Sequence, residues 1–334
     1  MFQVLNVSSW RYIIMIDRHY TSGFTLLELM IALTLGLLII AAGLALFLSS
    51  SRSLNLQSGM SELQQNANFG LSMVAYDLRH TNLNTVSAQK VNNIVLGSGI
   101  VFKKENFPSA LRTIANLETE FVSLPGKDTD NTTGKSDRLT IQYVPVTGSV
   151  VNCEGDEVTA ATSKTIVQRY YIAQTPQQVT GEPTSYSLYC DAGYYEAGST
   201  TITGLNNNAQ QIMQRVDAFK IRLGVKNPSN QFRYMAINDY IAAMNTIRTA
   251  CGTPIIEDNC AKNYLQVISI EVGILSRSTG TIGTEASLNT QSSFNLAGTN
   301  VTLDGSSGKD TLNKKYLRQA VNQVVAIRNT LGAS

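Results

Sequence analysis

Thr21 to Leu48 reads TSGFTLLELMIALTLGLLIIAAGLALFL. From Leu29 onward it holds twenty residues without a charge, the length of a helix that spans a bilayer. Glu28 stands at the mouth of this run, with Phe24, Leu26 and Leu27 continuing the apolar character on its other side. An ionisable group within a membrane span is expensive and is usually functional, so this carboxylate decides how the whole N-terminus is read.

Three readings compete. A secretory signal peptide has a core of about 7 to 15 apolar residues followed by a small-residue cleavage site, and this core is longer and would carry Glu28 inside the inserting segment. A plain anchor fits the length but leaves the carboxylate unexplained. A cut between Gly23 and Phe24, ahead of the apolar run, retains the helix and creates a new amine close to Glu28.

The stretch GFTLLELMIAL closely resembles the cleavage and assembly motif of type IV pilins and type II secretion pseudopilins. Its elements are Gly before the cut, Phe after it, Glu as the fifth mature residue, and then an apolar helix. The resemblance implies Gly23 and Phe24 as the processing site of a membrane-bound prepilin peptidase, which also N-methylates the new terminus. It further implies that Glu28 serves assembly. A carboxylate moved toward low dielectric is unfavourable by several kcal/mol unless paired, and the amine of a neighbouring subunit's cleaved terminus supplies a partner. The leader is long for this family, and Met15 offers a shorter start, MIDRHYTSG, with Arg18 kept on the cytoplasmic side. Met15 is the expected initiator, which leaves residues 1–14, with the lone Trp10, outside the leader.

Beyond Leu48 the chain turns polar but keeps helical spacing: Leu56, Met60, Leu63, Ala67, Leu71, Val74 and Leu78 recur at steps of four and three, one face of a helix. Gly36, Gly43 and Gly59 weaken intrinsic helicity, yet no proline occurs before Pro108. One helix is therefore expected from about Phe24 to about His80.

The remainder reads as strands and loops. NIVLGSGIVF, DRLTIQYVPV, TIVQRYYIA, SYSLYC, DAFKIRLGV and LQVISIEVGILSR are rich in the branched and aromatic residues that strands favour. RYMAINDYIAAMNTIRTA, Arg233 to Ala250, is the expected helical interruption, and Thr279 to Asp310 the expected long loop or hairpin excursion. The fold class is α+β: a long N-terminal hydrophobic and amphipathic helix followed by a β-rich, pilin-like head. The expected divisions are a leader at 1–23, a helix at 24–83 with its transmembrane half at 24–48, and a periplasmic head at 84–334.

SDRLTIQYV, RVDAFKIRLGV, ISIEVGILSRS and YLRQAVNQVVAIRN resemble, in order, segments of the PilW family of minor pilins, although the last can also be read as a helix from pattern alone. Pseudopilin J shares the N-terminal plan and is the second choice. Membership implies an inner-membrane protein, single-pass, its head in the periplasm and on the cell-surface pilus after assembly. Its implied partners are the prepilin peptidase, other minor pilins, the major pilin and the inner-membrane assembly platform.

Four cysteines, Cys153, Cys190, Cys251 and Cys260, lie in the head. An even number in an oxidising compartment suggests disulfides. Of three connectivities, neighbours in sequence are favoured, Cys153 with Cys190 and Cys251 with Cys260. No C-x-x-C knuckle supports zinc.

The 334 residues are 43% hydrophobic and 15% charged, with a net charge of +2. That near-neutral balance gives no support for direct nucleic-acid binding. Enzymatic readings find no G-x-S-x-G, no Walker A loop and no H-E-x-x-H, and His80 is the one histidine beyond Phe24. Asp137 and Asp217 are expected to be solvated surface groups. DTDNTTGKSD is calcium-like at Asp128 and Asp130 but lacks glycine at its sixth position and has Leu139 where the bidentate glutamate belongs. No cofactor and no metal is expected. The reading is a structural minor pilin that primes or tips a type IV pilus, serving motility, adhesion or DNA uptake, against the alternative of a membrane-anchored periplasmic enzyme or binding protein.

Overall fold

Helix α1 (Leu26–Leu78) continues for 53 residues in a computed structural model of the chain. The structure describes residues 23–146, 148–159, 164–252, 260–282, 289–306 and 309–330. The leader ahead of Gly23, with the alternative start at Met15, lies outside them. The chain divides into two compact units between Ser53 and Leu54. In the first, all sixteen large apolar side chains from Phe24 to Leu48 are 50% to 84% exposed, and the helix is long and apolar enough to cross a membrane. Leaving each in water instead of burying it costs about 2 kcal/mol, or roughly 30 kcal/mol together. That exceeds the whole stability of an ordinary domain, so lipid or neighbouring helices must cover this surface.

In the second unit the stripe expected from the spacing becomes the packed face of α1. Leu63, Ala67, Leu71, Val74 and Leu78 are buried, whereas Met60 remains 41% exposed. Gly70 lets the sheet approach closely: a Cβ there would lie 2.9 Å from Met213 Sδ. In the turn that follows the helix, Asn82 is left-handed, φ 67°, a conformation asparagine tolerates better than most residues.

Thirteen strands are found among the described residues. A first antiparallel sheet has the order β1-β2-β5-β6-β7, built from β1 (Leu124–Asp128), β2 (Ser136–Tyr143), β5 (Thr165–Gln174), β6 (Tyr186–Tyr195) and β7 (Gln210–Met213). Hairpin β3 (Ser149–Val151) and β4 (Glu157–Thr159) interrupts it, and a one-turn helix α2 (Leu117–Glu120) precedes it. A second antiparallel sheet has the order β13-β10-β8-β9, built from β8 (Val216–Lys226), β9 (Phe232–Ala236), β10 (Gln266–Thr281) and β13 (Tyr316–Ala326). One core joins Leu71, Val74 and Leu78 of α1 to Ile141, Tyr170 and Leu188 of the first sheet and Phe219, Leu223 and Ile270 of the second.

Several expectations are corrected. NIVLGSGIVF forms no strand; only Ile100 bridges to Ile141. Asn92 Oδ1 accepts the amides of Ile94 and Val95 at 2.9 and 2.8 Å, and Gly97 takes φ 75°, so local side-chain bonding and a turn glycine override the strand preference. The predicted helix at Arg233 begins only at α3 (Ile237–Thr249), because Phe232–Ala236 pairs with Arg222–Lys226 as β9. YLRQAVNQVVAIRN is strand β13, in continuous register with β10 from Ser269↔Ala326 to Arg277↔Arg318, not a helix. Within Thr279 to Asp310, hairpin β11 (Ser293–Leu296) and β12 (Thr299–Thr302) packs Phe294, Leu296 and Val301 against Ala218 and Leu275. The small helix α4 (Lys309–Lys314) follows.

Candidate functional site

The N-terminal site is built by one helix end. Thr25 is its cap: Thr25 Oγ1 accepts the Glu28 amide at 3.2 Å, and the Thr25 carbonyl accepts the Leu29 amide at 3.1 Å. This T-x-x-E spacing is that of a capping box. It fixes Glu28 in the first turn, where a carboxylate is favoured by the positive end of the helix dipole. Gly23 and Phe24 lie just ahead in non-helical backbone. Among the described residues a Cβ at Gly23 would meet nothing within 4 Å, and Phe24 is 84% exposed. The structure therefore gathers Gly23, Phe24 and Glu28 on the accessible tip of one helix.

The four cysteines stand elsewhere, in the second unit, joined as Cys153–Cys190 and Cys251–Cys260 with Cα atoms 6.1 and 5.8 Å apart. Cys190 and Cys260 are wholly buried, and all four sulfurs pack in or against the main core. The first bond ties the β3–β4 hairpin to β6, and the second closes the segment that follows α3. None is a free thiol among the described residues.

The carboxylates singled out in the sequence are buried, contrary to the expectation of solvated groups for Asp137 and Asp217. Asp217 is 0% exposed and accepts from Arg318 Nε at 2.7 Å and from Asn131 Nδ2 at 2.6 Å. Asp137 accepts the Gly126 amide at 2.8 Å and Lys220 Nζ at 3.2 Å on Oδ1, and the Ile221 amide at 2.9 Å on Oδ2. The physical reason is an edge left open. β9 pairs with β8 only from Arg222 onward, and the free amides of Phe219 and Ile221 are taken by Ser136 Oγ and Asp137. DTDNTTGKSD is thus the junction between the two sheets. Asp128 is held by Arg138, and Asp130 accepts from Thr132 and Ser136, so its carboxylates are already occupied by protein donors. Among the described residues no group of three His, Cys, Asp or Glu is placed to hold a metal.

One pair was missed. Glu154 Oε1 accepts the Ala192 amide at 3.1 Å, and its carboxyl shares a hydrogen bond with Asp191. Burial, with Asp191 and Asp156 nearby, pushes Glu154 up to about 7. Asp191 in turn is gripped by Arg169. A signal existed: an acidic residue follows both Cys153 and Cys190, so joining those cysteines brings the two carboxyls together.

Two stretches of the chain match known protein families. Residues 169–329 match the family of type IV pilus-assembly protein W, and residues 18–44 match the prokaryotic N-terminal methylation motif. Among solved structures, a type IV-like pilin from Thermus thermophilus is similar at 12% identity and a TM-score of 0.34, over 80% of this chain and 98% of that one. No curated protein matches.

Proposed function

This chain belongs to the PilW family of type IV pilus-assembly proteins, and from that premise we propose that it is a structural minor pilin, not an enzyme. A prepilin peptidase cuts after Gly23 and methylates Phe24. Helix α1 then holds the subunit in the inner membrane with residues 84–334 as a periplasmic head, until it joins other minor pilins in a complex that primes or tips the pilus and contacts the major pilin and the assembly platform. The observation that carries this reading is the coincidence, on one helix tip, of an exposed Phe24 next to Gly23 and a Glu28 amide capped by Thr25, ahead of an exposed apolar span.

In the precursor the amine of Phe24 does not exist, so cleavage supplies the cation that compensates Glu28 of a neighbour. Processing and assembly are linked by charge. Mass spectrometry of the N-terminal peptide from membranes tests the reading. N-methylated Phe24 is expected; a retained leader or a cut at another bond would refute it.

A further inference from the structure

Beyond its place in a pilus, the head has a groove of about 460 Å³ where β8 ends and β10 begins, within the roughly 300–1,000 Å³ typical of small-ligand sites. Lys90, Lys226 and Lys262 line it, and among the described residues no carboxylate does. Among the described residues none of these three ammonium groups has an anionic or hydrogen-bonding side-chain partner. Three uncompensated like charges around one hollow repel each other and attract an anion. An adjoining hollow of about 340 Å³ shares Lys90 and Tyr264 and adds Asn92, Arg112 and Arg248 with one carboxylate, Glu105, so cations outnumber anions there three to one. The Cys251–Cys260 bond holds Lys262 two residues beyond its second cysteine, which fixes one wall.

The lining also carries the amide side chains of Gln89, Asn227, Asn230 and Gln266, of which Asn227 is bonded to Gln231. Each carries both donors and an acceptor. Gln266 Oε1 is buried without a partner, and so is Nδ2 of Asn92, which is 1% exposed, in the adjoining hollow. Buried polar atoms are ordinarily bonded, so one acceptor and one donor stand ready for a ligand that offers both. Vicinal hydroxyls do. From unpaired cations and orphaned amides together we infer that the groove binds an acidic oligosaccharide, its carboxylates on the lysines and its hydroxyls on the amides.

Two other anions fit less well. Single-stranded nucleic acid is held by open aromatic faces, and the one tyrosine here, Tyr264, is 4% exposed. An extended acidic peptide is captured by a free sheet edge, whereas β8 and β10 are paired with each other at the groove, Lys226 opposite Gln266.

The test titrates the detergent-solubilised full chain with trigalacturonate at low ionic strength, beside the uncharged galactose trisaccharide, triglutamate and a trinucleotide. Saturable binding of trigalacturonate is expected, at least tenfold tighter than any of the other three. Lys226→Gln and Lys262→Gln should each weaken it by about threefold to fivefold at unchanged melting temperature. Absence of saturable binding, equal affinity for triglutamate or the trinucleotide, or an unaltered affinity in the Lys226→Gln, Lys262→Gln double variant would overturn the assignment.

Discussion

Asn82 and Asn329, 247 positions apart in the sequence, tie the turn after α1 to the C-terminal segment. Asn82 Nδ2 donates to the Asn329 carbonyl at 3.2 Å, and Asn329 Nδ2 donates to the carbonyls of Arg79 and Thr81 at 3.2 and 2.9 Å. Arg79 and Thr81 lie in the turn that follows α1, and the C-terminal segment supplies the donors their carbonyls take. Asn329→Ala removes two such bonds, each worth about 1 kcal/mol net. A loss of roughly 2 kcal/mol in head stability is expected, read as a lowered urea midpoint with an unchanged slope.

Asp137 has a comparable role between the sheets. Asp137→Asn keeps the volume but leaves Lys220 buried without its anion and turns a donor toward the Gly126 or Ile221 amide. Removing one partner of a buried ion pair costs about 3 to 5 kcal/mol. The variant should therefore unfold at markedly lower denaturant than wild type and be the more damaging of the two. A midpoint within error of wild type would contradict the junction described here.

The disulfides act on the head and not on the N-terminal site. Cys251→Ser should lower head stability by about 2 kcal/mol or more and increase protease sensitivity, with cleavage after Gly23 unchanged on gels. Alkylation of denatured, unreduced, exported protein should label no cysteine in wild type.

Glu154 makes stability depend on pH near neutrality. Its folded value of about 7 lies above the ordinary 4.5, so between those values the folded chain binds more protons than the unfolded one. Stability from this group falls as pH rises through that window: the contribution is present below about 4.5 and lost above about 7. Thermal melts should show the head less stable at pH 8 than at pH 5.5. Glu154→Gln, which cannot ionise, should flatten that slope and melt higher than wild type at pH 8.

These residues also show where sequence reading stops. The apolar span and the stripe from Leu63 to Leu78 were legible because each is a local pattern whose physical consequence lies within the same helix. So were strands β2, β5, β6, β8 and β10. The strand at Tyr316–Ala326 was not, since its helix-like spacing yields to ten paired residues on β10, a partner the pattern cannot display. Asp137 and Asp217 were misread for the same reason: a carboxylate looks solvated until the cation and amides that bury it arrive from strands some eighty or more positions away. The placement of Glu28 is local by contrast, its amide capped by Thr25 three residues before it.

Glu28→Gln separates cleavage from assembly. The substitution keeps size and polarity and leaves both the Thr25 cap, which uses the residue 28 backbone amide, and Gly23 itself. It removes only the charge. Processing after Gly23 should persist at the wild-type level, because nothing the peptidase meets at the cut has changed. Incorporation should fall, because the amine of a neighbour's Phe24 would enter a low-dielectric interior without its counter-charge, a deficit of a few kcal/mol. Helix packing along the exposed span from Phe24 to Leu48 absorbs part of that loss, so assembly is expected to be impaired and not abolished. The measurement is the amount of variant in sheared pili and in co-purified minor-pilin complexes, normalised to the cleaved membrane pool. Equal incorporation of Glu28→Gln and wild type would mean that the carboxylate reaches the headgroups and never meets a neighbour's amine, and charge compensation would then have no part in assembly.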